Sequence, residues 1–115
     1  MANNEYKGNI KLTGAQETLL LTLLVRASDT KTPQPILNDT YAASVVKQIK
    51  DSGYNFKKRL GFVFLERPVS ALISLRARIL DLKTEAFLEA HPGRATVLHL
   101  ACGLDSRSLR VRWQG

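Results

Sequence analysis

The chain has 115 residues, of which 44% are hydrophobic and 23% are charged. This composition excludes a disordered chain, a collagen-like sequence and a disulfide-rich scaffold, and the length fits one small domain. The single cysteine, Cys102, cannot form an intramolecular disulfide. The sequence contains neither an apolar run of membrane-spanning length nor an apolar signal segment at its start. These features predict a soluble cytoplasmic protein without a membrane partner.

The net charge of +7 arises from 17 Lys and Arg residues against 10 Asp and Glu residues. Such an excess is compatible with nucleic-acid binding, but the basic residues are spread along the chain instead of forming a stripe. The densest basic patch is KKR at 57–59. A solvated loop is the favoured interpretation of this patch, and a phosphate contact is the alternative.

Residues 1–12 are polar and predict a flexible tail. Thr13 and Gln16 then have the spacing of a capping box, which predicts the start of a helix over 14–28. This segment is apolar on nearly every side, so we expect the helix to be buried. The sequence TPQP at 32–35 ends it.

A second helix is predicted to end near Lys50. Either Asp39 or Thr40 can cap its first turn, apolar residues recur on one face, and Gly53 follows its end. The next segment, at 54–66, is apolar without a helical or strand period, and its structure is left open.

A long helix is predicted over 68–90, because Pro68 suits the first turn of a helix and apolar residues recur at helical spacing. The apolar run ATVLHL at 95–100 follows, and its length and β-branched residues predict a short strand. A strand that is apolar on both faces is typical of a parallel sheet covered by helices. Together these elements predict an α/β fold that is mostly helical in this chain.

The predicted strand leads into a turn that contains glycine. A strand, a tight turn and a following helix form the nucleotide-binding corner of Rossmann-like folds, and Gly103 would allow a ligand to approach the backbone closely. Cys102 is interpreted as a small buried side chain, since no activating group is visible, and His99 as a core histidine. No group of Cys and His residues has the spacing of a metal site.

Residues 98–107, which read LHLACGLDSR, resemble the first S-adenosylmethionine (SAM) motif of the leucine carboxyl methyltransferase family. The resemblance continues upstream through 17–20, 35–43 and 74–92, and it covers about residues 12–112 in order. It implies a helical lid followed by the first strand of a Rossmann-like sheet.

The resemblance also implies a domain organisation: a flexible tail at 1–12, a helical lid region at 13–66 and the start of a SAM-binding domain at 67–115. The implied activity is methyl transfer from SAM to an oxygen of a small-molecule or carboxylate acceptor. Because only one strand is predicted, we expect the chain to be the truncated N-terminal part of a larger enzyme. Alone it would be inactive and prone to self-association through exposed apolar faces.

By this resemblance, Arg76 pairs with the methionine carboxylate of SAM, and Gly103 is the turn glycine of the cofactor site. Asp105 and Arg107 belong to the same motif and are implied to bind the cofactor. Ala101 also lies in the cofactor-binding turn, but it stands where the family usually has glycine. The resemblance assigns no catalytic base to the chain.

Helical spacing places Arg76 with Leu72 and Leu80 on the apolar side of the long helix. A charge on this side needs a partner, so an anionic ligand and a snorkelling or ion-paired arginine are both open interpretations. Arg78 falls on the polar side, where an ion pair with Asp81 would account for it.

Two other classes of function stay open beside the methyltransferase. One is a non-enzymatic helical module whose apolar faces bind a partner protein, and the other is a basic module that binds nucleic acid. Competition by S-adenosylhomocysteine (SAH) would favour the methyltransferase, whereas salt-dependent nucleic-acid binding would favour the basic module.

Overall fold

The computed structural model describes residues 13–60 and 67–113. These residues form helices, and no strand occurs within the described ranges. The helices are α1 (Ala15–Asp29), α2 (Thr40–Asp51), α3 (Phe56–Leu60), α4 (Arg67–Ala90) and α5 (Arg107–Arg110). The predicted tail at 1–12 and the segment 61–66 lie outside the described residues.

The three longer helices, α1, α2 and α4, confirm the helices predicted from apolar spacing. At the start of α2, Asp39 Oδ1 accepts a hydrogen bond from the Ala42 N–H (3.0 Å), so Asp39 is the N-cap. The capping box predicted for α1 is wrong. Its N-cap is Gly14, which has no side chain to accept a hydrogen bond, and the Gln16 N–H donates instead to the backbone oxygen of Thr13 (3.1 Å).

The short helix α3 occupies part of the segment whose structure the sequence left open. The Asn55 side chain caps it by accepting a hydrogen bond from the Lys58 N–H (3.1 Å). The basic patch at 57–59 is therefore helical, and the predicted loop is wrong. Arg59 of this patch lies 3.6 Å from Glu17, measured from Nη1 to Oε1.

The core lies between α1 and α2, with one residue added by α3. Its buried hydrophobic residues are Leu20, Leu23, Leu24, Ala27, Ala42, Val46, Ile49 and Phe56. Seven of the 15 residues of α1 are buried, all of them from Leu20 onward. The predicted burial therefore holds for the C-terminal part of the helix, whereas Leu19 in its first half is 43% exposed. The buried part includes Arg26, so this helix carries a positive charge into the interior of the protein.

The helix α4 packs on α1 and buries polar side chains of its own. Ser74 and Asp81 are 0% and 2% exposed, whereas Leu72 is 67% exposed. Asp81 tolerates burial because arginine side chains from α5 bind its carboxylate. The prediction that Asp81 lies on a solvent-facing polar side is therefore wrong. None of the helices in the described ranges is both long and apolar enough to cross a membrane.

The strand predicted over 95–100 is not formed. The segment has no regular secondary structure, and Val97, Leu98 and Leu100 are all exposed. A strand is stabilised by backbone hydrogen bonds to a neighbouring strand, and the described residues provide no such neighbour. The radius of gyration is 16.0 Å, larger than the roughly 13 Å of a compact domain of this length.

Candidate functional site

The segment 100–106 is a turn that leads into α5. Ala101 and Gly103 both have left-handed backbone conformations, with φ angles of 50° and 53°. The Asp105 N–H donates a hydrogen bond to the Cys102 carbonyl oxygen (2.9 Å). A left-handed conformation costs a non-glycine residue about 1–2 kcal/mol. The backbone at Ala101 thus has a shape that glycine tolerates better than alanine.

Gly103 lies against the start of α1. A Cβ atom added at Gly103 would lie 2.9 Å from Leu19 Cδ2, which is too close for two carbons that are not bonded to each other. Rotation of the flexible Leu19 side chain relieves this clash, but the left-handed φ angle stays unfavourable for any side chain. The backbone conformation is therefore the main reason for glycine at this position.

Asp105, near the end of the turn, is bound by side chains from several parts of the chain. Its Oδ1 accepts hydrogen bonds from Arg26 Nη1 (2.7 Å), Arg110 Nη2 (3.1 Å) and the Arg107 N–H (3.2 Å). Its Oδ2 lies 3.3 Å from both Arg107 Nη2 and His99 Nε2. The turn is thereby joined to α1 and to α5.

The same arginines bind two further carboxylates, one at the N-cap of α2 and one on α4. Arg110 lies 2.7 Å from Asp39 (Nη1 to Oδ2) and 2.7 Å from Asp81 (Nε to Oδ2). Arg107 Nε lies 3.0 Å from Asp81 Oδ1, and Arg26 Nη1 lies 3.7 Å from Asp39 Oδ2. We call this group the Arg–Asp cluster; its members are Arg26, Asp39, Asp81, Asp105, Arg107 and Arg110.

Electrostatic interactions within the Arg–Asp cluster oppose the effect of burial. Burial alone would raise the pKa of Asp105, but the guanidinium groups of Arg26, Arg110 and Arg107 outweigh it and hold that pKa below its usual value. Burial would lower the pKa of Arg110, but the hydrogen bond and charge of Asp81 outweigh it and raise that pKa. For Arg26 burial dominates, and its pKa is lowered. Asp105 is therefore a carboxylate at neutral pH.

A comparison with protein families identifies the chain. The profile of the leucine carboxyl methyltransferase family matches residues 19–115. This match contains most of α1, the turn at 100–106 and every member of the Arg–Asp cluster. The chain belongs to the leucine carboxyl methyltransferase family.

Two curated methyltransferases are similar to this family member. The chain is 54% identical over 113 residues to the S-adenosyl-L-methionine-dependent methyltransferase dpfgK of Gibberella zeae, an alignment that covers 95% of this chain and 37% of that protein. It is 42% identical over 102 residues to the tetracenomycin polyketide synthesis O-methyltransferase TcmP of Streptomyces glaucescens, covering 89% of this chain and 35% of that protein. The chain thus spans little more than a third of the length of these relatives. No solved structure matches it.

The residues that the family resemblance assigned to the cofactor fall into two groups. Arg76, Ala101 and Gly103 are exposed. Within the described ranges Arg76 forms no hydrogen bond or ion pair, and it lies with the exposed Leu72 and Leu80 on one side of α4. The others, Asp105 and Arg107, belong to the Arg–Asp cluster and have partners within the protein.

Three interpretations of single residues in this leucine carboxyl methyltransferase family member are corrected. Cys102 is exposed instead of buried, because the turn holds it at the surface. Arg78 does not pair with Asp81, because arginines of α5 take that carboxylate. His99 is half-buried and lies outside the hydrophobic core, so its interpretation as a core histidine is also wrong. Its Nε2 accepts a hydrogen bond from Arg107 Nη1 (2.9 Å), since a guanidinium group can only donate.

Sequence reasoning missed part of the Arg–Asp cluster. It gave no role to Arg26 or Arg110, and it gave Asp39 only a possible capping role. Arg26 did offer a signal, because a charge inside an apolar helix needs a partner of opposite charge. Asp39 and Asp81 offered no such signal, since a single sequence does not show that they lie close to the distant Arg110.

Proposed function

We propose that the protein is a SAM-dependent methyltransferase that methylates an oxygen of a small-molecule or carboxylate acceptor. The observation that carries this proposal is the match to the leucine carboxyl methyltransferase family, which includes the turn at 100–106. The names of two relatives support it, since both are methyltransferases, one of them an O-methyltransferase. The proposal concerns the whole protein, because the chain spans only part of the relatives' length.

The turn and one residue of α4 have features that suit the cofactor. Its left-handed positions, Ala101 and Gly103, are exposed, so a nucleoside ligand has access to the backbone. Arg76 is an exposed cation without a described partner, and it suits the carboxylate of the methionine part of SAM. We propose these residues as cofactor ligands. The lid region at 13–66, the cofactor domain starting at 67 and a cytoplasmic location belong to the same proposal.

Methyl transfer depends chiefly on how the methyl donor and the acceptor are positioned. SAM would supply a methyl group on a sulfonium, and the acceptor oxygen would form its bond to carbon as the carbon–sulfur bond breaks, which leaves SAH. A hydroxyl acceptor also gives up its proton to solvent, whereas a carboxylate has none to lose. A methyl transfer of this kind gains from alignment of donor and acceptor in line. The residues described here would hold the donor, and we assign no catalytic base among them.

Substitution of Arg76 tests the proposed ligand. In the full-length protein, Arg76→Ala should weaken SAM binding about 10- to 150-fold, because a charge-assisted hydrogen bond is lost. Arg78→Ala is the matched control, from the same helix, and should leave the affinity nearly unchanged. Calorimetric titration measures both. If Arg78→Ala abolishes binding while Arg76→Ala does not, the assignment of Arg76 is wrong.

A helical interaction module is the second candidate function. Its supporting observation is the exposed apolar surface of α4, formed by Val69, Leu72, Leu75, Ile79, Leu80, Leu82 and Phe87. A folded full-length protein that binds a partner protein but neither SAM nor SAH would favour it. Nucleic-acid binding has less support, since Arg26, Arg107 and Arg110 are all bound by aspartates.

A further inference from the structure

We propose that the Arg–Asp cluster holds the turn at 100–106 in the shape that binds the cofactor. On this proposal Asp105 and Arg107 are positioning residues and not cofactor ligands, and Arg26, Asp39, Asp81 and Arg110 act with them. The inference rests on the proposed SAM-binding function of the turn.

The hydrogen bonds of Asp105 tie one of its carboxylate oxygens to the protein itself. A carboxylate offers about four lone-pair positions. Oδ1 of Asp105 accepts three hydrogen bonds, from Arg26, Arg110 and the Arg107 N–H. Oδ2 lies 3.3 Å from Arg107 Nη2, so the Arg107 guanidinium group neutralises it. The contacts of the carboxylate are thus made with the protein's own arginines, which suits it to fix the turn.

The Arg–Asp cluster attaches the turn to three helices at once. From α1, Arg26 Nη2 donates a hydrogen bond to the backbone oxygen of Leu104 (2.7 Å), inside the turn. At the N-cap of α2, Asp39 accepts a hydrogen bond from the Ser106 hydroxyl (2.6 Å to Oδ2). From α4, Asp81 binds arginines of α5, which directly follows the turn. The turn cannot shift without breaking several of these bonds.

The charges of the Arg–Asp cluster balance, which makes each member depend on the others. Three guanidinium groups face three carboxylates, and the side chains of Arg26, Asp39, Asp81 and Arg110 are 6%, 0%, 2% and 7% exposed. Removing one member leaves an uncompensated charge in a buried place, which the structure relieves by moving groups or admitting water. We expect the turn to move first, because it has no regular secondary structure of its own.

Hydrogen exchange tests whether the cluster holds the turn. In the full-length protein, Arg26→Met should make the amides of 103–111 exchange at least about 10-fold faster, while those in the middle of α4 stay protected. Arg26→Lys keeps the charge without the forked geometry of the guanidinium group. Its exchange rate at 103–111 should lie between those of the unchanged protein and of Arg26→Met. The control Lys47→Met removes an exposed ion pair with Asp51 outside the cluster and should change neither segment. Unchanged exchange at 103–111 in Arg26→Met would overturn the proposal.

SAH affinity then separates a positioning residue from a ligand. Arg26→Met and Asp105→Asn should each weaken binding by on the order of 10- to 100-fold, because the turn is displaced. If Asp105 acts through the cluster, the double variant, in which charge balance is restored, binds no more weakly than the poorer single variant. If Asp105 is a ligand, the two losses multiply, and the positioning role is wrong.

The two experiments also separate the inference from the proposed function. A folded full-length protein that binds no SAH overturns the proposed function and, with it, the positioning role. The exchange measurement then still decides whether the Arg–Asp cluster holds the turn. Binding of SAH with normal affinity in the folded Arg26→Met variant overturns only the inference.

Discussion

Asp105 occupies a motif position that the family resemblance assigned to the cofactor, yet its partners in the structure are arginines. Its pKa lies below the usual 3.8, because the nearby guanidinium groups outweigh burial. The unfolded chain therefore binds a proton at Asp105 at higher pH than the folded chain does. The resulting stability is fully present above pH 3.8 and is lost as pH falls through the lower folded pKa.

The lowered pKa of Asp105 in the folded chain gives a prediction for Asp105→Asn. The variant should be less stable than the unchanged protein at neutral pH. As the pH is lowered below 3.8, its free energy of unfolding should decrease less steeply than that of the unchanged protein. Urea unfolding over a series of acidic buffers measures both slopes. Parallel curves for the variant and the unchanged protein would mean that Asp105 has the same pKa folded and unfolded.

Ala101 gives a second prediction at the scale of the residue. Its left-handed φ of 50° is strained for alanine, so Ala101→Gly should raise the free energy of unfolding by about 0.5–1 kcal/mol. The gain is limited because glycine also loses more conformational freedom on folding. The control Ala86→Gly, within α4, should lower stability by about 1 kcal/mol. Thermal unfolding checks the opposite signs; a loss at both positions contradicts the assigned backbone conformation.

At the scale of the element, α2 depends on Asp39 in two ways. The carboxylate caps the helix through the Ala42 N–H, and it neutralises Arg110. Asp39→Asn keeps an acceptor for the cap but removes the charge, and it should cost about 3–5 kcal/mol of stability. Asp39→Ala should cost about 1 kcal/mol more, through the lost cap.

The control for this pair is Asp51→Asn at the other end of α2, where the carboxylate is exposed and pairs with Lys47. Its substitution should leave the unfolding midpoint nearly unchanged. Chemical unfolding of the three variants separates the effects of charge and cap. Equal losses at Asp39 and Asp51 would show that the Arg–Asp cluster contributes no more than a surface ion pair.

The sequence predicts helices better than it predicts which side of each helix is buried. The long helices α1, α2 and α4 follow from apolar spacing and local stop signals, which are properties of neighbouring residues. The burial of Asp81 does not follow, because it depends on arginines from α5. The prediction of a strand at 95–100 is wrong for a related reason. A strand needs a neighbouring strand to bind, and the sequence of the segment itself does not supply one.

In the candidate site, too, local features are predictable from the sequence and contacts between distant residues are not. The turn with Gly103 and the motif around Asp105 are visible in the sequence, because glycine and the spacing of the motif are local signals. The pairing of Asp105 with Arg26 is not visible, since the two residues are 79 positions apart along the chain. Arg110 is only five positions from Asp105, but the sequence does not show which way its side chain points. The resemblance predicts where the cofactor site lies, and the structure shows which side chains surround that segment.

At the scale of the whole molecule, exposed apolar surface is the dominant feature of the described residues. Leu72 is 67% exposed on α4, and Leu98 and Leu100 are 79% and 82% exposed beyond its end. Such surface is usually covered in a soluble protein. We therefore predict that a protein made of these 115 residues alone self-associates at micromolar concentration, melts over a broad range and transfers no methyl group.

Sedimentation velocity and circular dichroism check this prediction on the isolated chain. The expected result is a concentration-dependent distribution of sizes with substantial helix. A monodisperse monomer that unfolds in one sharp transition would contradict it, and would favour the helical interaction module over the methyltransferase.

The central claim is that this family member binds SAM through the turn at 100–106. The most direct test is calorimetric titration of SAH into the folded full-length protein, because it needs no knowledge of the methyl acceptor. Our account predicts saturable binding of one SAH per protein, competed by SAM and weakened by Arg76→Ala. A folded full-length protein that gives no saturable binding of SAH would contradict the account.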